Sequence, residues 1–327
     1  MPVQTIGYHA SHEQFPPSAL LRDVQRAEQA GFTSMMCSDH FHPWGEDQGQ
    51  SGFAWSWLGA ALATTRLPAG VVNAPVGRYH PAIIAQAAAT LCEMFPQRFW
   101  IAVGSGEALN EHITGQAWPD KPLRNARLRE AVDVMRALWR GETVTHHGGF
   151  VVEQARLYTR PAVAPAVFAA ALSVDTARWA GQWADGLITT SADRDTLRRL
   201  LDAFREGGGA GKPACLQVKL SYAATDAQAL EGAHRQWRTN VAGSPINADC
   251  HTPQHFDAIA RFVRPEDMHD QVRISADLAR QRAWLEEDVA MGFDHLMLHN
   301  VNTEQQRFID RFGERVLPEL LGAARRG

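Results

Sequence analysis

The sequence predicts an α/β protein with a (β/α)8 TIM-barrel architecture. Short apolar runs alternate with amphipathic helical stretches over most of the 327 residues, the rhythm of a parallel sheet with crossover helices. About eight such βα units can be counted, which suits a closed barrel better than an open doubly wound sheet. Polar, titratable residues follow directly after the strands, where barrel enzymes place their chemistry. Residues 1–327 are therefore read as one domain.

Each element has its own signal. A first strand near Val3–His9 leads to a helix at Ser18–Ala30 that stops at Gly31. The run Phe32–Cys37 is mostly apolar and ends on Ser38, a buried strand facing an abrupt polar stretch. A helix is expected at Trp55–Thr65, a third strand at Ala69–Asn73, and a helix at Ala82–Phe95 opened by Pro81, where a missing N–H costs nothing. The fourth strand, Phe99–Val103, ends on Gly104-Ser105-Gly106, and a long amphipathic helix spans Arg124–Arg140. A hairpin is expected around His146–Gly149. Strands at Val167–Ala171, Leu187–Thr190, Leu216–Ala223 and Leu296–His299 complete the count, with helices at Asp175–Ala184 and Asp193–Glu206. The second of these closes on Gly207-Gly208-Gly209. Gly243–Asp270, with Pro245, Pro253 and Pro265, breaks the rhythm and reads as an insertion over the barrel mouth.

The net charge of -4 leaves no basic footprint, which argues against nucleic acid as a partner. No apolar run reaches the length of a membrane span, and the N-terminal residues lack the pattern of a secretory leader. Cys37, Cys92, Cys215 and Cys250 are scattered without a Cys-x-x-Cys pair, as in a reducing cytoplasm.

The expected mouth gathers His9 and Glu13, Asp39 to Trp44, Asn73 to Tyr79, Ser105, Glu107 and Asn110, Thr189 to Ser191, and His299 with Asn300. Carboxylates, imidazoles and an indole in one cup suit acid–base work beside a flat ligand. Any one of them could instead cap a helix or satisfy buried backbone. His40-Phe41-His42 also fits a metal grip, as in barrel hydrolases, with Asp294, His295 and His299 as further ligands. Against it, the chain offers no lysine after strand five and no second histidine pair, so no metal is expected. Gly104-Ser105-Gly106-Glu107 opens a helix and lets backbone approach a ligand, yet lacks the dinucleotide fingerprint.

Several motifs together resemble one family. Glu13, Ser38-Asp39-His40-Phe41 with Pro43-Trp44, Arg78-Tyr79-His80-Pro81 with Ile84-Ala85-Gln86, and Gly104-Ser105-Gly106-Glu107-Ala108-Leu109-Asn110-Glu111 are similar to the bacterial luciferase-like superfamily. Within it, the chain resembles the deazaflavin-dependent glucose-6-phosphate dehydrogenases. The resemblance implies a flavin or 5-deazaflavin ring in the cup, usually in a homodimer, and a small-molecule substrate. It implies His40 and Glu107 as proton-transfer groups, Glu13 orienting His40, and Trp44 walling the reactive face. It implies cofactor contacts from Asp39, Val71, Val72, Asn73, Ser105, Gly106, Asn110, Ala170, Ala171 and Thr190, with a non-proline cis peptide near Val71-Val72.

Two departures shape the expected cofactor and substrate. A lysine that the sugar-phosphate enzymes carry after Thr-Ser is absent, since Thr190-Ser191 is followed by Ala192-Asp193, an acid that would repel phosphate. The family's Gly-Gly after strand five is Ala171-Leu172. The chain then resembles the flavin oxidoreductase branch with bound FMN, running hydride transfer or monooxygenation; the alternative is a sugar or alcohol dehydrogenase using the deazaflavin coenzyme F-420. A metal-dependent hydrolase is the reading from another class.

Overall fold

The computed structural model describes residues 3–324. Its strands are, in chain order, β1 (Thr5–Ala10), β2 (Ser34–Ser38), β3 (Ala69–Asn73), β4 (Phe99–Val103), β5 (Val144–His147), β6 (Val151–Ala155), β7 (Val167–Ala170), β8 (Gly186–Thr190), β9 (Ala214–Ser221), β10 (Arg273–Ile274) and β11 (His295–Asn300). Eight of them close in parallel in the order β1-β2-β3-β4-β7-β8-β9-β11 and back to β1. The expected barrel is therefore present, with helices between its strands. The β5–β6 pair is the antiparallel hairpin, and β10 adds two residues beside the end of β9.

Strand alternation divides the residues between two environments. Ile6, Val71, Ile101, Leu187, Leu216, Val218 and Leu298 face outward and pack under the helices. Met36, Ala102, Phe168, Ile188, Cys215 and Met297 face inward and form an apolar plug. Glycines make room for it. A Cβ on Gly70 would lie 2.0 Å from the Trp100 ring, and one on Gly186 would lie 2.4 Å from Phe168. Large side chains thus fill the barrel axis from strands whose neighbours have none, and the floor beneath the cup is solid.

Local chemistry explains the helix ends. Gly31, at φ +98°, closes Pro17–Ala30 in the left-handed region, where only glycine sits without strain. Asp120 accepts from the Leu123 N–H at 3.0 Å and, with Pro122, starts its helix at Lys121 rather than at the expected Arg124. Helices at Asp226–Trp237, Leu278–Met291 and Gln305–Arg315 extend the βα pattern beyond what the sequence reading assigned.

The expected insertion is ordered. It forms helices Ser244–Asp249 and Pro253–Ala260 and a tight helical turn at Pro265–Asp270. Phe256, Met268, Val272, Trp237 and Ala233 pack there with Trp44 and Leu109 in an apolar cluster separate from the barrel core. All described peptide bonds are trans, which corrects the cis bond expected at Val71-Val72.

Candidate active site

The carboxyl ends of the strands and the ordered insertion enclose a cavity of ≈ 930 Å3. Its base is organised by a buried ion pair network. The Asp39 carboxylate, just past β2, accepts from Trp55 Nε1 at 3.0 Å, Asn73 Nδ2 at 2.8 Å and Tyr79 Oη at 3.2 Å. Arg78 reaches the same carboxylate at 3.3 Å and Glu111 at 2.6 Å, and it also donates to the Asp39 carbonyl. Gly77 precedes Arg78 with φ +116°, and a Cβ there would strike the Glu111 carboxylate. Burial pulls the Arg78 guanidinium down, but Glu111 and Asp39 outweigh that and hold it above its usual range.

Above this base stands a carboxylate–imidazole–carboxylate row. His40 Nδ1 lies 3.5 Å from Glu13 Oε1, and His40 Nε2 lies 3.9 Å from Glu107 Oε2. Burial alone would raise the Glu13 carboxyl; His40, His9 and its bond from the Ser11 hydroxyl overcome that and hold it below the usual range. Glu107 behaves oppositely. Burial raises it, with His40 opposing and the Glu13 charge adding to the rise. It precedes a short helix but makes no capping bond, so its carboxylate is turned into the cup. Two carboxyl groups pushed apart on either side of one imidazole can divide the work of orienting and exchanging a proton. The Trp44 ring stands 5.0 Å from the His40 ring and is backed by Phe256.

Behind the row lie three more imidazoles. His9 and His12 are pulled to about 4, and His299 well below its ordinary value, in each case first by burial. His299 donates to Gln14 Oε1 at 2.9 Å, which makes Nδ1 its bare nitrogen, and its ring packs 4.4 Å from His9. A depressed folded-state value means the unfolded chain binds the proton more readily, so stability falls as pH drops from about 6.5 toward about 4. Each imidazole should cost up to roughly 1.4 kcal/mol per pH unit in that window. Thermal melts from pH 7 to pH 5 should therefore show a steadily falling midpoint; a flat profile would count against neutral burial of these rings.

The other expected site residues divide into two groups. Val72, Asn73, Ser105, Gly106, Asn110, Ala170 and Thr190 line the cup with Asp39. Asn110 Oδ1 accepts from the backbone N–H groups of Phe41 at 2.8 Å and His42 at 3.3 Å, so it fixes the segment that carries His40. Val71 and Ala171 do not line it. Their side chains turn into the outer core, because neighbours on an extended segment point to opposite faces. Asp193 also faces elsewhere: it caps the helix Arg194–Phe204, accepting from Thr196 N at 2.8 Å. His42 turns its Nδ1 to the Leu109 carbonyl and stacks on His112. Asp294 and His295 lie at the opposite ends of the strands, so the metal grip does not assemble. Among the described residues no group of three or more His, Cys, Asp or Glu side chains is set to hold a metal.

Sequence reasoning passed over Lys219, Asn240 and Gln271, all of which line the cup, and gave Arg78 no role. A signal for Lys219 existed. In Leu216-Gln217-Val218-Lys219-Leu220 apolar and polar residues alternate, placing Gln217 and Lys219 on the inward side of β9.

This barrel and cup are those of one family: the model for the luciferase-like monooxygenases matches residues 3–295, and the chain belongs to the bacterial luciferase-like family. A relative from Beutenbergia cavernae called "F420-dependent glucose-6-phosphate dehydrogenase" is 38% identical over 328 residues, covering 96% of this chain and 97% of its own. Another of that name from Intrasporangium calvum is also 38% identical, over 97% of this chain and 99% of its own. The structure of an F420-dependent secondary alcohol dehydrogenase with an F420-acetone adduct superposes with a TM-score of 0.90 at 33% identity, covering 97% of this chain and 99% of that one. A tetrahydromethanopterin reductase from Methanopyrus kandleri, at 19% identity and TM-score 0.79, shares the fold. No helix among the described residues is long and apolar enough to cross a membrane.

Proposed function

We propose that this chain is an oxidoreductase that interconverts an alcohol and a carbonyl with the deazaflavin coenzyme F-420. The observation that carries the reading is the Glu13–His40–Glu107 row at the mouth of a large cup. Relatives above 30% identity over nearly the whole chain are named for the same coenzyme. This replaces FMN as the expected cofactor. The argument for FMN rested on Ala171 and Leu172; the Ala171 methyl is buried in the core and takes no room from the cup, and only Leu172 stands on its wall. Monooxygenation, which went with FMN, is set aside with it.

The residues present suit a large polar aromatic ligand. Asn73 Oδ1 and Thr189 Oγ1 are buried, line the cup and have no hydrogen-bond partner among the described residues. Lys121 and Arg124 stand on the cavity wall with Leu172 and Thr176, suited to an anionic tail. When bound, the coenzyme supplies a two-electron hydride acceptor. His40 takes the substrate's hydroxyl proton at Nε2, Glu13 holds the imidazole from Nδ1, and Glu107 exchanges protons with His40 and with solvent at the mouth. Asp39, whose carboxylate is fully occupied by protein donors, holds Trp55, Asn73 and Tyr79 in place at the base of the cup. Trp44 keeps water from the reacting face. For glucose 6-phosphate itself, the loss of the lysine after Ser191 is the argument against. Repulsion by Asp193 is not, because that side chain serves as a helix cap.

The direct test is coenzyme binding to the purified protein, followed by fluorescence with F-420 and with FMN in parallel. F-420 should bind at least ten times more tightly; equal or reversed affinity would return the reading to FMN. A homodimer belongs to the same proposal. Phe41, Phe53 and Ile83 are each more than half exposed near the mouth and would be covered by a second copy, which light scattering should read as twice the chain mass.

A further inference from the structure

We propose that the substrate carries a carboxylate and that Lys219 is the residue that receives it. The inference rests on the alcohol–carbonyl reading above and names its substrate class, a hydroxy or oxo acid.

Lys219 extends inward from β9 with Gln217, its backbone N–H fixed on Ser191 Oγ at 2.9 Å. Its ammonium lies 5.7 Å from the Trp237 ring centre and has no hydrogen-bond or ion-pair partner among the described residues. Other cations of the cup are already engaged. Arg78 is shared by Asp39 and Glu111. Arg124 lies over the Trp118 ring and donates to the Pro119 carbonyl at 2.7 Å. Lys121 meets Ser173 Oγ at 3.4 Å on an exposed stretch.

The groups facing Lys219 do not complete it. His299, kept neutral first by burial, offers no charge to pair with it. Glu107 attracts it, yet neither Glu107 oxygen comes within ion-pair distance of the ammonium. Burial lowers Lys219 to about 8 against that attraction, so at neutral pH it is still an ammonium, paired by nothing fixed. A charge so placed is costly unless a ligand meets it. A carboxylate brings one negative charge to one cation. A phosphate ester brings nearly two, beside Glu13 and Glu107, while Lys121 and Arg124 are given to the coenzyme's tail.

The test uses coenzyme-loaded protein and pairs of substrates: hydroxy acids bearing the hydroxyl two, three or four carbons along, and their primary amides, which keep the shape and lose the charge. At least one acid should exceed its amide in kcat/KM by about 10²-fold, the scale of a charged hydrogen bond. Lys219→Met should lower that acid-to-amide ratio by a similar factor, and Lys219→Arg should recover most of it. Acid binding should weaken as pH rises past about 8, where Lys219 loses its proton. Equal use of acids and amides, a ratio unchanged in Lys219→Met, or a preference for hydroxyalkyl phosphates would each overturn the proposal. Coenzyme fluorescence is recorded on the same samples, so failure of the cofactor reading shows itself separately. In that event calorimetric titration of the coenzyme-free protein with the same acids and amides still decides the role of Lys219.

Discussion

Replacing His40 with asparagine should lower kcat by about 10²- to 10⁴-fold, the usual worth of a positioned acid–base group, while coenzyme affinity changes less than threefold. His40 stands between two carboxyl groups of opposite tendency, Glu13 held down and Glu107 pushed up. Only an imidazole can accept a proton at one nitrogen while the other stays bound to a carboxylate. Asparagine fills much of the space and keeps a donor toward Glu13, so the expected loss lies in proton movement rather than in the shape of the cup. Stopped-flow reduction of bound coenzyme separates the two steps: amplitude reports binding, rate reports chemistry. A rate within tenfold of wild type would remove His40 from the role given to it.

Arg78→Met should be the most destabilising single change at the site, by about 3–5 kcal/mol. The three side chains involved are nearly sealed, with exposures of 5% for Arg78, 1% for Asp39 and 4% for Glu111. Removing the guanidinium leaves two carboxylates buried without their cation, and each repels the other. At about 2 °C per kcal/mol for a chain of this size, the melting midpoint should drop by about 6–10 °C. Adding Glu111→Gln to Arg78→Met should restore part of the loss, because one of the stranded charges is gone. A single variant melting within 2 °C of wild type would mean that the network carries little of the fold's stability.

Sequence and structure part company in particular places. The strands were legible because buried parallel strands write themselves as short apolar runs, and the turn after β2 was legible because an acid, two imidazoles and an indole follow such a run at once. The errors came from direction. Val71 and Ala171 were assigned to the cup by the family resemblance, yet one step along an extended segment reverses a side chain, and both face the core. Asp193 was read as a charge at the mouth but is consumed by a helix terminus. Arg78 went without a role because its partners, Asp39 and Glu111, come from two other segments, and no local pattern announces a contact across 39 and 33 residues. His40 and Trp44 were legible as neighbours in sequence; their company with Glu107 was implied by the family resemblance, and the 3.9 Å between His40 and Glu107 comes from barrel closure.

The ordered segment after Trp237 has a consequence for how such a cup can change. It rests on its own apolar cluster, with Phe256 and Met268 at the centre and Trp44 at the border, while the plug of the barrel is built from other residues. One side of the reaction chamber is thus assembled like a cassette: its packing can be rewritten without disturbing the strands that hold His40 and Glu107. Transplanting this segment between relatives should move substrate preference while the acid–base row keeps its place. Because Trp44 is shared between cassette and row, its indole fluorescence would register whether the graft has seated.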